Sequence, residues 1–243
     1  MLKRTIDILF SLFGLIIALP LLIVCLLAIW LYDFNNPFYI VKRVGKNGKV
    51  FHMIKLRSMK IDADKSGVAS TANNDNRITP IGKLIRKYKI DELSQLINVL
   101  FGSMSLVGPR PQLEKEVKFY TEEEKGLLKI QPGITDFASI IFSDEGSILQ
   151  GSQDPDLDYN QLIRPWKSRL GIFYIKNVTI SLDMKLIVLT AISLFSKQRS
   201  LKYINKILIS LSADEKLIEV SKRENQLIPH PPPGSDFIVT SRE

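Results

Sequence analysis

The chain of 243 residues has one cysteine, Cys25, and two histidines, His52 and His230. A single thiol excludes an internal disulfide framework, and the three residues offer no zinc-ligand spacing. No GxGxxG fingerprint and no GxxxxGK[ST] loop occurs, so nothing points to a Rossmann or P-loop nucleotide site. No Ser or Cys stands in a nucleophile elbow. Internal repeats are absent too. Charge is missing from one long stretch: Ile8 to Tyr32 is a run of 25 residues without Asp, Glu, Lys or Arg.

That stretch is long enough for a membrane helix. It is too long for a cleavable leader, and no small-residue cleavage site follows it. Trp30 and Tyr32 close it, where amphipathic rings favour the membrane–water boundary. Pro20 falls near its middle and removes one helical hydrogen bond. Two readings stay open. The segment is a kinked helix that crosses the bilayer, or it turns back at Pro20 with both ends on one face. In the second, each arm of about 12 residues reaches roughly 18 Å, short of the roughly 30 Å hydrocarbon core. Lys3 and Arg4 before the run and Lys42, Arg43, Lys46 and Lys49 after it favour two cytoplasmic flanks.

The net charge of +8 is uneven. Residues 1–90 hold 15 Lys/Arg against 5 Asp/Glu, and residues 91–243 hold 18 against 20. A basic half beside an apolar segment suits an anionic partner: lipid headgroups, a phosphorylated substrate or nucleic acid.

Residues 38–57 predict a β-hairpin turning at Lys46-Asn47-Gly48-Lys49. Residues 60–77 are polar and predict a loop or mobile flap. Ile81, Leu84, Ile85 and Tyr88 recur at helical spacing, with Lys83, Arg86 and Lys87 between them. That helix lies on a bilayer surface or packs its stripe on a core. Leu93, Leu96, Ile97 and Leu100 form a second stripe ended by Gly102. Thr121–Glu124 and Ser212–Glu215 carry capping-box signatures. Residues 143–160 predict an exposed acidic loop. Leu186 to Ser196 is too short to span, and is either buried or interfacial. Pro231-Pro232-Pro233-Gly234 closes any helix, and the last dozen residues lack periodicity and are expected to be mobile.

What remains for chemistry is Asp91-Glu92 at the junction of two helical stripes, then Gly108-Pro109-Arg110-Pro111. Asp91 serves either as the N-cap of the Leu93 stripe or as a carboxylate nucleophile toward phosphorus. A helix N-terminus favours the ionised carboxylate and attracts phosphate. Glu92 then serves in proton transfer or metal binding. Arg110, held between two prolines, suits bidentate phosphate recognition, or else pairs with a surface carboxylate. Lys55 and Arg57 form a basic patch at the hairpin end.

Several ordered motifs resemble the bacterial sugar transferases, the small monotopic phosphoglycosyl transferases that begin glycan assembly on undecaprenyl phosphate. They are Arg43-Val44-Gly45-Lys46-Asn47-Gly48, Lys55-Leu56-Arg57-Ser58-Met59, Asp91-Glu92-Leu93-Ser94-Gln95-Leu96-Ile97-Asn98-Val99-Leu100, Met104-Ser105-Leu106-Val107-Gly108-Pro109-Arg110-Pro111, Gln131-Pro132-Gly133-Ile134-Thr135 and Ser181-Leu182-Asp183-Met184-Lys185. The likeness runs from the N-terminus to about residue 197. It implies that Asp91 attacks the β-phosphate of a UDP-sugar, that UMP leaves, and that polyprenol phosphate takes the sugar phosphate from the aspartyl intermediate. Glu92 is implied as the partner carboxylate, Mg2+ as the cofactor with Asp91 a ligand, and Arg110, Lys55 and Arg57 as phosphate or substrate contacts.

The implied fold is mainly α with a short β-hairpin. Residues 1–34 form a re-entrant helical hairpin kinked at Pro20, amphipathic helices lie at the interface, and residues 35–199 make a small cytoplasmic catalytic domain. Residues 200–243 are an extension of unknown role. The implied partners are a UDP-sugar, undecaprenyl phosphate and the phospholipid bilayer of the bacterial inner membrane, with no nucleic acid. Sugar contacts are expected in residues 60–77 and 136–165. Two departures stand out: Leu19-Pro20 replaces the family's Ser-Pro, and Ser94 replaces a proline. The competing reading is a membrane-tethered binding protein that uses its basic half for anionic lipid or nucleic acid without turnover.

Overall fold

A computed structural model of the chain describes residues 1–241. Residues 1–34, expected as a helical hairpin, form one helix, α1 (Leu2–Asp33), which continues through Pro20. A proline inside a helix removes one hydrogen bond, and the flanking apolar turns carry the helix past it. Asp7, Ser11, Ala18, Leu22 and Ile29 are the buried residues of α1. Their spacing of 4, 7, 4 and 7 marks one stripe along the helix. Nearly the whole length of α1 therefore lies against the rest of the chain.

Both ends of α1 are tied down. Lys3 pairs with Asp183 and donates to the Val107 carbonyl at 3.1 Å. The Arg4 guanidinium donates to the carbonyls of Val99 (2.6 Å) and Leu100 (2.8 Å). Asp7 accepts from the Leu106 N–H at 3.0 Å. At the other end Asp33 forms a two-pronged pair with Arg57, at 2.6 and 2.7 Å. The face turned away is apolar and exposed, with Leu9, Phe10, Phe13, Ile16, Ile17, Val24, Leu27 and Leu31.

The hairpin forms as read from the sequence. β1 (Phe38–Val44) and β2 (Val50–Leu56) pair antiparallel, with Val44 opposite Val50. Asn47 (φ 57°) and Gly48 (φ 74°) supply the left-handed turn. Three short helices follow the 60–77 segment: α2 (Pro80–Lys87), α3 (Ile90–Leu93) and α4 (Gln95–Leu100). Thr79 caps α2 by accepting from the Gly82 N–H. The α2 stripe divides. Ile85 is buried against α1 with Ile81 beside it, while Leu84 and Tyr88 are exposed. The core-packing reading thus holds for half the stripe, and the other half is left exposed.

β3 (Ser105–Val107) pairs in parallel with β4 (Gly133–Thr135), with α5 (Glu114–Val117) between them in the chain. The sequence reading gives no strand here. The glycines make the pairing possible: a Cβ on Gly133 would stand 2.0 Å from the Gly108 nitrogen. The Thr121–Glu124 capping box is present, with both reciprocal bonds at 3.1 Å, and opens a 3-10 turn, Glu124–Lys129.

The main core gathers around α6 (Phe137–Ile141), α9 (Arg164–Lys176) and α10 (Ile180–Ser193). Residues 143–160, expected as an exposed loop, instead carry α7 (Glu145–Ile148) and α8 (Pro155–Asp158), with Leu149 fully buried. The reason is local: Asp154 caps α8 and Pro155 sits in its first turn. The 60–77 segment is pinned to this region. The Ser70 N–H donates to Asp156 at 2.7 Å and the Asn73 N–H to the Gly146 carbonyl at 3.0 Å. Leu186 and Leu189 of α10 are buried, while Val188, Leu194 and Phe195 are exposed.

α11 (Lys197–Ser210) and α12 (Glu215–Lys222) complete the same core through Leu201, Ile204, Leu208 and Leu217. Residues 200–222 thus pack as part of the domain that precedes them. Ser212 does not cap α12. Its φ is 54°, and Asp214 accepts from Lys216 instead. The last dozen residues, expected to be free, include bonded positions: the Gln161 side chain donates to the Val239 carbonyl at 2.7 Å, and Pro233 is buried.

Candidate active site

Asp91 and Glu92 sit in α3, a single turn pressed against the end of β2. Lys89 precedes it in a left-handed conformation (φ 52°) and separates α2 from α3. Asp91 is therefore not the N-cap: it is the second residue of the turn, and no side chain caps α3. Ser94 and Asn98 lock the helix to β2. The Ser94 hydroxyl donates to the Ile54 carbonyl at 3.1 Å, and Asn98 accepts from the Ile54 N–H at 2.9 Å while donating to the His52 carbonyl at 2.7 Å. The family's proline at position 94 could not make the first of these.

This docking carries Lys55 onto both carboxylates, 3.7 Å from Asp91 and 3.1 Å from Glu92. Arg110 reaches the same Glu92 oxygen at 2.6 Å from the turn after β3. Residues 37 and 18 positions from Glu92 in sequence thus meet at one oxygen. Lys89 lies close enough to act on both acids by its charge, and it donates to the Ser139 carbonyl at 3.3 Å.

The two acids sit in opposite electrostatic situations. Burial dominates at Asp91 and pushes its pKa up, against the opposing charge of Lys55. Burial acts on Glu92 in the same sense, but Arg110, Lys55 and Lys89 together outweigh it and hold the group well below the usual carboxylate range. Lys55 is pushed down by burial, and Arg110 is raised by Glu92. Adjacent carboxylates with pKa values driven apart are a common mark of divided roles.

Arg110 also lines a cavity with Gln112, Asp136, Ser139, Tyr159 and Lys167. Lys167 is paired with Glu145 and lies 5.2 Å from the Tyr159 ring centroid. Asp136 caps α6, accepting from the Ser139 N–H and hydroxyl at 2.7 Å each. Sequence reasoning missed Lys89, Lys167, Glu145 and Tyr159, which have no motif of their own. Gln95 carried a signal: it is four residues, one helical turn, beyond Asp91. It is 1% exposed, and neither carboxamide atom has a hydrogen-bond partner. Such a group calls for a ligand, ion or water.

Arg57 is corrected. It does not join the cluster, because the fork to Asp33 and a bond from its Nε to the Asn36 carbonyl at 2.7 Å use its donors. It clamps the end of α1 to β2. Pro20 likewise lies within a continuous helix.

Mg2+ commonly binds through one or two carboxylates, with water and substrate phosphates completing its shell. The donor set fits that mode. No group of three or more ligating side chains converges among the described residues, and Asp91 meets Lys55 only at 3.7 Å while Glu92 is bound more closely by two cations.

The family model of the bacterial sugar transferases matches residues 1–197, and the chain belongs to that family. Over 110 residues it is 53% identical to a putative undecaprenyl-phosphate N-acetylgalactosaminyl 1-phosphate transferase of Bacillus subtilis, covering 45% of this chain and 62% of that protein. It is 35% identical to an undecaprenyl-phosphate galactose phosphotransferase of Salmonella typhimurium, over 78% of this chain and 40% of that one. It is 37% identical to the exopolysaccharide production protein PSS of Rhizobium leguminosarum, over 79% and 94%. The chain thus spans about two thirds or less of the first two relatives and nearly all of the third.

Proposed function

We propose that the protein transfers a sugar 1-phosphate from a UDP-sugar to undecaprenyl phosphate, releasing UMP, as the first membrane step in building a polysaccharide or glycoconjugate. The observation that carries this reading is the pair of carboxylates under Lys55 and Arg110. In it, one acid is committed to the cations and the other is left to react.

An Asp91 oxygen attacks the β-phosphorus of the donor, the bond to the bridging oxygen breaks, and UMP departs with that oxygen. The phosphate of the polyprenol then attacks the same phosphorus and displaces Asp91. Burial raises the energy of the ionised Asp91, which suits a nucleophile. Glu92, held ionised, is a poor proton carrier near neutral pH. Its part is to fix Lys55 and Arg110 where phosphate charge develops. Asp91 would hold Mg2+, which supplies charge neutralisation at the diphosphate. In this reading the donor sugar is contacted from residues 60–77 and 136–165, which are bonded to one another at Ser70–Asp156 and Asn73–Gly146.

The exposed apolar face of α1 fits a bilayer. Both ends of that helix are tied to one domain, which supports a monotopic arrangement. In it the continuous helix lies along the membrane surface with its apolar face in one leaflet, and the cluster faces the cytoplasm at headgroup level. There a soluble donor and a membrane-bound acceptor can meet.

The test supplies a panel of UDP-sugars with undecaprenyl phosphate and Mg2+ to protein in lipid nanodiscs. UMP is the expected nucleotide product. UDP in its place sinks the phospho-sugar mechanism. The pH profile gives a second check. A nucleophilic Asp91 must be ionised, so kcat/KM falls as pH drops through its raised pKa. The acid limb therefore lies above the ordinary aspartate value of about 4, and a limb below that value would contradict the assignment.

A further inference from the structure

The C-terminal segment is bonded to Thr121, Gln161 and Arg169, which neighbour the cavity-lining Tyr120, Tyr159 and Ser168 in the chain. The family match ends before it, at residue 197, and the chemistry above does not use it. A gap in α9 explains why it is there. Pro165 stands in the first turn of α9 and has no N–H. The carbonyl of Gln161, four residues earlier, therefore lacks its helical donor. Gln161 belongs to a single π-helical turn, Tyr159–Ile163.

The His230 backbone N–H fills the gap, donating to the Gln161 carbonyl at 3.0 Å. The Gln161 side chain in turn donates to the Val239 carbonyl at 2.7 Å. Arg169 donates to the Pro231 carbonyl at 2.8 Å, and the Thr121 hydroxyl donates to that of Pro233 at 2.6 Å. The His230 ring packs on Trp166 with centroids 4.4 Å apart.

Composition fits this use. Pro229, Pro231, Pro232 and Pro233 preset an extended backbone and offer carbonyls without donors. In residues 229–233 His230 has the one N–H, and it goes to the one carbonyl that Pro165 leaves open. On its inner side the π-helical turn presents Tyr159, which lines the cavity with Arg110, Ser139 and Lys167. π-helical turns of this kind recur at functional sites.

We propose that residues 226–240 are a positioning strap for the donor pocket: His230 supplies the N–H that Pro165 lacks, and so holds the turn that sets Tyr159 against a bound nucleoside diphosphate sugar. This rests on the reading that the cavity takes a UDP-sugar. His230 and Gln161 are positioning residues, and neither lines the cavity.

His230→Pro in the full chain deletes the donor and keeps an extended backbone. His230→Ala deletes the ring and keeps the N–H. Gln161→Leu deletes only the side-chain bond to Val239. Amide hydrogen exchange across residues 155–168 and donor kinetics are measured for each. In His230→Pro, exchange speeds up and the donor KM rises, each by about tenfold, with kcat within about threefold of wild type. His230→Ala stays close to wild type in exchange across the turn, and Gln161→Leu falls between the two. Unchanged exchange in His230→Pro overturns the strap. Faster exchange with an unchanged KM reduces it to a structural tie and overturns the positioning role. A wild-type protein that releases no UMP refutes the transferase reading instead, and the exchange comparison still decides whether the strap holds the turn.

Discussion

Asp91→Asn lowers UMP release by about a thousandfold or more while leaving the melting temperature equal or higher. The two effects have one cause. Asp91 is buried, its pKa is raised chiefly by that burial, and its ion-pair contact with Lys55 is long, at 3.7 Å. A carboxylate whose pKa is raised on folding costs stability when it is ionised. Stability from this group therefore falls as pH rises from the unfolded value through the folded one. Asparagine keeps the shape and removes that cost. On the proposed mechanism it also removes the nucleophile, because a neutral amide cannot form the acyl-phosphate. A purely structural Asp91 predicts the reverse, a lower melting temperature with activity largely kept. Thermal unfolding and UMP release on the same preparation separate the two. The gain in stability on losing a functional group is the usual trade at such positions.

Glu124→Ala destabilises the protein by about 3–5 kcal/mol, the cost of breaking a buried ion pair by removing one partner. Glu124 is 0% exposed. It accepts from Arg164 at 2.6 and 3.2 Å, from the Ser168 hydroxyl at 2.7 Å and from the Thr121 N–H at 3.1 Å. Alanine strands the Arg164 guanidinium beside the Phe119 carbonyl and the Tyr120 ring. Arg164, Ser168 and Tyr120 all line the cavity next to Arg110, so donor affinity falls with stability. Urea unfolding in detergent gives the size of the loss. A change below about 1 kcal/mol, the worth of an exposed pair, would show that the cluster is solvated. Glu124→Gln, which keeps a polar group among the same donors, falls between alanine and wild type.

Much of this protein is legible in the sequence because it depends on neighbours in the chain. The hairpin turn follows from Asn47-Gly48 and the start of the 3-10 turn from Thr121 and Glu124. The apolar helix follows from an uncharged run of 25 residues. Asp91, Glu92 and Arg110 were recognisable because their spacing and flanking residues form ordered motifs. The local rules fail where a distant partner decides. Arg57 reads as a substrate contact beside Lys55, yet β2 ends at Leu56 and Arg57 lies beyond the strand, where the end of α1 is its partner. Lys55 meets Glu92 and Arg57 meets Asp33. Residues 143–160 read as loop because their acids are conspicuous, whereas Leu149 is buried in the core and Glu145 is paired with Lys167.

The tail reads as free because prolines have no periodicity, and its anchor is a carbonyl left open by another proline 65 residues earlier. The sequence by itself determined the apolar helix, the hairpin, the family and the candidate pair Asp91-Glu92, since each is written in short-range spacing or composition. Only the tertiary structure decided which cations reach that pair, how differently the two acids are held, and that residues 200–222 pack into the same core. Those depend on burial and on contacts between residues tens of positions apart, which no local pattern encodes.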